Sequence, residues 1–198
     1  MAVQARVAGP ADLAGMADLL AGAFHDDPVW SWAFPDPEHR HAQMSAFWGL
    51  MLEGAAGYGW CWVTADWDAA TLWVPPGLPE LAEPWGSQVE SLVNELVGTR
   101  AGEVLRALEC FDAAHPRDED HFYLSLLGTH AERRGGGVGM ALLRANLERI
   151  DALGRPAYLE SSNPANLGRY RSVGFESIGE FELPGNGPNV TRMWRDAV

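Results

Sequence analysis

A run of glycines between an apolar segment and a helical one constrains the fold of this chain most. The run, Arg134-Gly-Gly-Gly-Val-Gly139, follows the apolar segment 121–127 and precedes a helical pattern from Met140 to Leu153. This order predicts a strand, a tight turn and a helix. Such a turn directs unpaired backbone amides and the positive end of the helix dipole at one point, where phosphate usually binds. Glycine is needed there because a Cβ would block the approach of the ligand to the backbone.

The surroundings of the glycine run exclude two common phosphate-binding folds. A nucleoside-triphosphate loop would end in Gly-Lys-Ser/Thr, and all 14 basic side chains of this chain are arginine. A dinucleotide-binding fold would carry its glycines in the first strand–turn–helix unit, whereas this run comes late in the chain. A flexible linker is a further alternative, but the regular apolar flanks argue against it.

Two motifs together resemble the GNAT superfamily of N-acetyltransferases. The spacing Arg134-x-x-Gly137-x-Gly139 is similar to the pyrophosphate loop of that family. The segment 158–175 resembles its second signature, in which a strand leads to a short helix with Asn166 and Tyr170 one turn apart, followed by Gly-Phe. The layout is most similar to the branch of puromycin N-acetyltransferase. The match covers residues 121 to about 182, whereas 1–120 match only in the order of elements.

The resemblance implies an α/β (α+β) fold with one domain over residues 1–198. We expect a mixed, mostly antiparallel, twisted sheet of about six or seven strands, flanked by helices, with its central strands splayed apart. Residues 1–120 would form the acceptor half and 121–198 the acyl-CoA half. The sequence pattern itself predicts strands at 3–8, 58–64, 70–74, 121–129, 156–161, 175–183 and 189–195. It predicts helices at 10–24, 38–54, 87–97, 102–114, 137–153 and 165–173, with a loop or short helix at 25–37.

The resemblance also implies a site for acetyl-CoA or another acyl-CoA. The residues expected to hold it are Leu127, Gly128, Thr129, Arg134, Gly135, Gly136, Gly137, Val138, Gly139, Asn166 and Tyr170. Tyr170 would protonate the departing thiolate, since a phenol has a reference pKa near 10. Asn166 would either bond the pantetheine arm or cap its helix. Glu160 is the first candidate for the general base; His121, Tyr123, water activated by Asp26 or Asp27, and no dedicated base are alternatives.

Charge and aromatic residues suggest what the other half binds. Residues 1–120 hold 19 acidic side chains and 5 arginines, whereas residues 121–198 hold 8 acidic side chains and 9 arginines. The acidic half would favour a cationic amine and repel nucleic acid, with plain solubility charge as the alternative. The aromatic, acidic segment 26–34 suits a wall for such an amine. We therefore expect substrate contacts from Asp26, Asp27, Trp30, Trp32, Phe34 and Tyr123.

Several features narrow the setting of the protein. The sequence has no run of 18 apolar residues and no signal-peptide pattern at its start, so we expect a cytoplasmic protein without membrane association. Cys61 and Cys110 are expected to be buried thiols, and the histidines have no ligand spacing, so no metal is expected. A homodimer is left open.

The sequence thus predicts an N-acetyltransferase that moves an acetyl group from acetyl-CoA to a primary amine of a small molecule, such as an antibiotic or a metabolite. Transfer would be direct, in a ternary complex, because no Cys/His or Ser/His pair suggests a covalent intermediate. Two alternatives remain: acetylation of a protein or peptide amine, and a non-catalytic acyl-CoA-binding sensor or interaction module.

Overall fold

The computed structural model of the chain describes residues 3–198. The strands are β1 (Ala5–Val7), β2 (Cys61–Thr64), β3 (Ala69–Val74), β4 (Phe122–Thr129), β5 (Ala157–Ser161), β6 (Glu176–Glu182) and β7 (Asn189–Arg195). The helices are α1 (Leu13–Phe24), α2 (Pro28–Ala33), α3 (Arg40–Ala55), α4 (Val89–Val97), α5 (Ala101–Ala114), α6 (Val138–Asp151) and α7 (Leu167–Arg171). The element order predicted from sequence is confirmed, and segment 25–37 contains the short helix.

All strands join one seven-stranded sheet in the order β1-β2-β3-β4-β5-β7-β6. Every neighbouring pair is antiparallel except β4 and β5, which are parallel. The crossover between these two strands carries α6, as a parallel connection requires. The predicted fold class, a mixed and mostly antiparallel sheet flanked by helices, is confirmed.

The central strands β4 and β5 separate after a short stretch of pairing. Their pairing covers only Phe122–Leu124 against Ala157–Leu159. Beyond it, β4 stays paired with β3 as far as Thr129. The register between β3 and β4 skips Ser125, so β4 carries a bulge where the separation begins. The predicted splay is therefore present, and one edge of β4 is left without a strand partner.

Helices cover both faces of the sheet and bury an apolar core on each. On one face, α1 and α3 pack over β3 and β4 around Leu20, Trp48 and Leu72. On the other face, α6 packs through residues such as Leu142 and Ile150. Because these side chains are almost fully removed from water, each contributes roughly 1.5–3 kcal/mol of transfer free energy.

Two glycines let the helices approach β4 closely. A Cβ on Gly128 would lie 2.7 Å from Leu20 Cδ2 and 2.9 Å from Ala23 Cβ, so α1 could not pack as it does. A Cβ on Gly139 would overlap Thr129 Oγ1, so α6 could not approach the end of β4 as closely as it does. The two helices therefore converge on the carboxyl end of β4, where the strands splay. Over residues 3–198, every helix is too short or too polar to span a bilayer.

Candidate active site

The glycine run forms a left-handed turn at the start of α6. Gly135 has φ +83° and Gly137 has φ +77°, conformations that glycine adopts without strain. The first main-chain hydrogen bond of the helix runs from Ala141 N to Gly137 O, at 2.9 Å. The amides of residues 138–140 precede this bond and, among residues 3–198, have no helical acceptor. The turn thus supplies the unpaired donors that an anion requires.

A cavity of about 400 Å³ opens beside this turn, and we call it the loop cavity. Its lining includes the predicted residues Leu127, Gly128, Thr129, Arg134, Gly135, Gly137, Val138, Gly139, Asn166 and Tyr170. Gly136 belongs to the turn but does not line the cavity. Three arginines, Arg133, Arg134 and Arg169, border it. The loop cavity therefore combines free amides with positive side chains.

Arg134 has a structural contact that the sequence did not indicate. Its guanidinium donates hydrogen bonds to the carbonyl oxygens of Gly22 and Ala23, at 3.2 and 2.7 Å. These carbonyls belong to the last turn of α1, where the helix dipole is negative. Arg134 therefore ties the glycine turn to α1, in addition to placing a positive charge beside the loop cavity.

Helix α7 brings Tyr170 and Asn166 to the same place. Asn163, rather than Asn166, caps the preceding turn, since its Oδ1 accepts from Ala165 N at 3.0 Å. Asn166 makes no side-chain capping bond, so that alternative is wrong; its Oδ1 accepts from Arg169 at 2.7 Å. The pKa of Tyr170 is raised to about 12, mainly by burial and further by Asp27. The phenol is thus fully protonated at neutral pH.

A larger cavity of about 1200 Å³ lies on the other side of the splay, and we call it the aromatic cavity. Trp30 forms part of its wall and packs edge-on against Trp48, with ring centroids 4.4 Å apart. Seven carboxyl-bearing residues line it: Glu80, Glu90, Glu109, Asp112, Glu119, Asp120 and Glu160. Four residues border both cavities: Phe24, Leu127, Asn166 and Tyr170. The two cavities therefore meet where β4 and β5 separate.

Glu160 lies on β5 inside the aromatic cavity, and its side chain is 2% exposed. Burial raises the pKa of this carboxyl to about 8, and the negative charge of Glu80 adds to the rise. The phenols of Tyr123 and Tyr158 lower the pKa of Glu160. Among residues 3–198, however, no group donates a hydrogen bond of normal geometry to either of its carboxyl oxygens. A carboxyl that titrates near neutral pH in a cavity can take up a proton during a reaction.

A second carboxyl, that of the half-buried Glu80, is a site residue that the sequence reasoning missed. Its Oε1 accepts a hydrogen bond of 2.6 Å from the Oγ of Ser125, the bulge residue of β4. Burial is the main reason that its pKa is raised, and the charge of Asp112 contributes. Glu80 lies in the loop after β3, where no periodic pattern marks it. Only the tertiary fold places it near Glu160.

The aromatic residues predicted to contact the acceptor do not all lie in one cavity. Tyr123 lines the aromatic cavity beside Glu160, as Trp30 does. Trp32 lies outside both cavities with the Arg100 guanidinium 5.3 Å from its ring, and Phe34 is 1% exposed in the core. Their aromatic character serves packing because α2 turns these two side chains away from the cavity wall.

The two aspartates of the predicted acceptor wall lie at the loop cavity instead. Asp27 caps α2 by accepting from Val29 N at 3.0 Å, and its second oxygen accepts from Ser162 at 2.7 Å. Asp26 is exposed and pairs with His25 at 3.1 Å. Both carboxylates are thus placed on the glycine-turn side of the splay. Within residues 3–198, no three His, Cys, Asp or Glu side chains converge as a metal site.

Comparison with known proteins finds the same fold in solved acetyltransferase structures. No protein-family model matches the chain. Among solved structures, the "histone acetyltransferase HPA2 and related acetyltransferase" of Corynebacterium glutamicum is 23% identical, with a TM-score of 0.73, over 100% of this chain and 98% of the other. An agmatine N-acetyltransferase is 17% identical, with a TM-score of 0.66, over 99% and 100%. A polyamine N-acetyltransferase of Drosophila melanogaster is 16% identical, with a TM-score of 0.64, over 98% and 99%.

These similarities cover nearly the whole chain and include its first half, where the sequence resemblance was limited to element order. The similarity to the puromycin N-acetyltransferase branch stays a prediction. With its splayed strands and its glycine turn before α6, the chain has the fold of the GNAT acetyltransferases.

Proposed function

We propose that this chain is an acetyl-CoA-dependent N-acetyltransferase that acts on a primary amine of a small molecule. One observation carries the proposal: a cavity suited to a polyanion and a cavity suited to a cation meet at Leu127 and Tyr170. Acyl transfer to an amine requires two ligands of these opposite charges to touch at one point. The similar folds of agmatine and polyamine N-acetyltransferases support the same reaction class.

The residues of the loop cavity fit coenzyme A. The diphosphate would bind the unpaired amides at 138–140, with arginine charge beside it. The pantetheine arm would follow the free edge of β4 over Leu127–Thr129, where strand-like hydrogen bonds are available. Bound there, acetyl-CoA would supply an acyl group activated as a thioester.

Glu160 is the residue best placed to accept the proton of the amine. An amine must lose its proton to act as a nucleophile, and a carboxylate with a pKa of about 8 is a stronger base than an ordinary one. Burial keeps water away from the Glu160 carboxylate. The exclusion of water also strengthens the attraction between this carboxylate and a cationic ligand. His121 and Tyr123 are less suited, because His121 is engaged with a carbonyl oxygen and burial raises the pKa of Tyr123 well above 10.

Tyr170 holds a proton at the junction of the two cavities. Its raised pKa keeps the phenol protonated, and its position bordering both cavities places it beside the point where acyl group and amine would meet. It would donate that proton to the sulfur as the C–S bond breaks.

The aromatic cavity favours an acceptor that carries a second positive charge. Glu160 is buried and Glu80 is half-buried, and the repulsion by which Glu80 raises the pKa of Glu160 would be relieved when cationic groups bind. Trp30 and Phe111, whose rings stack with centroids 6.5 Å apart, add an apolar wall. A short diamine or an amine with a guanidinium group has both features. A protein amine is less suited because it would have to reach Glu160, whose side chain is 2% exposed.

The decisive test measures thiol release from acetyl-CoA with a panel of amines, followed by mass spectrometry of the products. The panel contains diamines, guanidino-amines, aromatic monoamines and a basic peptide. We expect turnover with small amines and the largest kcat/KM for dicationic ones. Preference for the peptide would support the protein-acceptor alternative. Binding of acetyl-CoA by calorimetry with no turnover of any amine would support a sensor, and no binding at all would contradict the proposal.

A further inference from the structure

Two histidines that line the aromatic cavity lie in a row with Glu160. His115, which follows α5, has its Nδ1 3.9 Å from Glu160 Oε1. Its Nε2 lies 3.0 Å from the Nε2 of His121, which precedes β4. The Nδ1 of His121 lies 2.7 Å from the carbonyl oxygen of Glu119. The three side chains thus form a row of titratable groups, with a gap wider than a hydrogen bond between Glu160 and His115.

The hydrogen bonds of this row fix the tautomers of both rings. A carbonyl oxygen only accepts, so the Nδ1 of His121 must carry a hydrogen. The Nε2 of a neutral His121 is then a lone pair, which accepts from an N–H on the Nε2 of His115. The Nδ1 of a neutral His115 is therefore also a lone pair, and it faces Glu160. Burial lowers the pKa of both histidines, so both rings are neutral when no proton has been delivered.

The charged groups around the row, and the exposure of its members to water, determine where a proton could leave. Charged and titratable groups that act on it include Glu80, Asp112, Arg117, Glu119, Asp120, Tyr123, Tyr158 and Arg192. Burial and Arg117 lower the pKa of both histidines, whereas Asp112 acts against this at His115, and Glu119 and Asp120 do so at His121; these three acidic residues also line the cavity. The side chain of His115 is 21% exposed, so water reaches it, in contrast to Glu160.

We propose that His115 and His121 form a relay that removes the reaction proton from Glu160 to solvent. The proposal rests on the proposed function, which gives Glu160 a proton in each turnover. The proton moves from Glu160 Oε1 to the lone pair on Nδ1 of His115, through a small side-chain movement or one bridging water, because 3.9 Å exceeds a hydrogen bond. The Nε2–H of His115 is then shared with the Nε2 of His121. His115, now an imidazolium held by that bond, releases the proton on its Nδ1 to the water that reaches this side chain, so both rings return to their neutral tautomers and Glu160 is again a carboxylate.

The test uses a substitution that separates the relay from packing. In His115→Gln, the side-chain amide can keep donating to the Nε2 of His121, but it offers no basic nitrogen to Glu160. We expect an unchanged melting temperature and an unchanged KM for acetyl-CoA. In weakly buffered solution at pH 7, kcat should fall about 10-fold, and added imidazole should restore it in proportion to its concentration. His39→Gln, at an exposed histidine paired with Asp36, is the matched control and should behave as wild type.

Nitrogen NMR of the histidine rings provides a measurement that does not depend on turnover. We expect hydrogen on Nε2 of His115 and on Nδ1 of His121 in the neutral protein. The opposite tautomer of His115, or a His115→Gln enzyme with wild-type kcat or with a loss that imidazole does not reverse, would overturn the relay alone. A wild-type protein with the expected tautomers but no turnover of any amine would instead overturn the proposed function.

Discussion

The two cavities that meet at the splay differ in charge and in how they are built. The loop cavity has three arginines and two aspartates on its wall, and its anion donors are main-chain amides from one continuous segment. The aromatic cavity has seven carboxyl-bearing residues and a single arginine, Arg117, and its lining comes from segments distant in the chain. The anion donors of the loop cavity are thus main-chain groups, whereas the charged groups of the aromatic cavity belong to side chains.

This difference explains how specific each site is expected to be. A turn that binds through main-chain amides of glycine has no side chain whose substitution could change its preference. Such a turn suits the part of a ligand that is always the same. A cavity of side chains changes its preference whenever one side chain changes. We therefore expect the loop cavity to determine which coenzyme binds and the aromatic cavity to determine which amine is acetylated. The following substitutions test that division, from the largest expected effect to the smallest.

Glu160→Gln should cause the largest loss and should affect only the chemical step. Without the carboxylate, kcat should fall about 10²- to 10⁴-fold, the range for general-base catalysis. Wild-type kcat should rise with pH through about 8, because only the ionised form accepts a proton. This rising limb should be absent from the variant. Unchanged acetyl-CoA affinity by calorimetry serves as the control, and a variant with the wild-type pH profile would remove Glu160 from the base role.

Gly137→Glu should break the loop cavity and leave the aromatic cavity intact. The new carboxylate would repel phosphate, and φ +77° is strained for a side chain, so acetyl-CoA affinity should fall about 100-fold. Gly136→Ala is the matched control, because its Cβ would lie 3.4 Å from Arg133 O, facing away from the cavity lining. Calorimetry measures both affinities. Near-normal affinity in a folded Gly137→Glu protein would contradict the placement of the coenzyme.

Tyr170→Phe tests the residue that borders both cavities. It removes the proton donor and keeps the ring packed near Phe175, so kcat should fall about 10-fold while acetyl-CoA affinity changes little. Steady-state kinetics and calorimetry on the same preparation separate the two effects. Equal loss in affinity and in kcat would indicate a binding role instead of proton donation.

Glu80→Gln should have the smallest and most selective effect. The amide can still accept from Ser125, but the substitution removes one negative charge from the lining of the aromatic cavity. The KM of a diamine should rise about 5-fold, whereas that of a monoamine should stay nearly constant, since only the second cation loses its partner. Equal changes for both amines would place the second charge elsewhere.

The sequence predicted the loop cavity much better than the aromatic one. Its glycines, Tyr170 and Asn166 lie in two short segments, where local spacing reflects local geometry. Strand and helix order was also predictable, because apolar periodicity reports directly on burial. Glu80 was missed because its importance depends on Ser125, which is 45 residues away on β4.

The same reason accounts for the misplaced part of the acceptor wall. Aromatic residues beside carboxylates suggest a binding surface, but Phe34 fills the core next to Phe47 and Asp27 caps a helix. Composition gives the residue types of a segment, while the direction of each side chain depends on the helix that contains it. The sequence could also have predicted that Arg169 borders the loop cavity, since it lies next to Tyr170 on the same short helix.

The border shared by the two cavities has a consequence for the length of the acyl group. Among residues 3–198, the two cavities share Phe24, Leu127, Asn166 and Tyr170 as their border. An acyl chain longer than acetyl would extend past this border and occupy volume that the nucleophile needs. The size of the acyl donor and the size of the amine acceptor are therefore coupled. Propionyl or butyryl thioesters should react only with the smallest amines, and bulky amines should react only with acetyl-CoA.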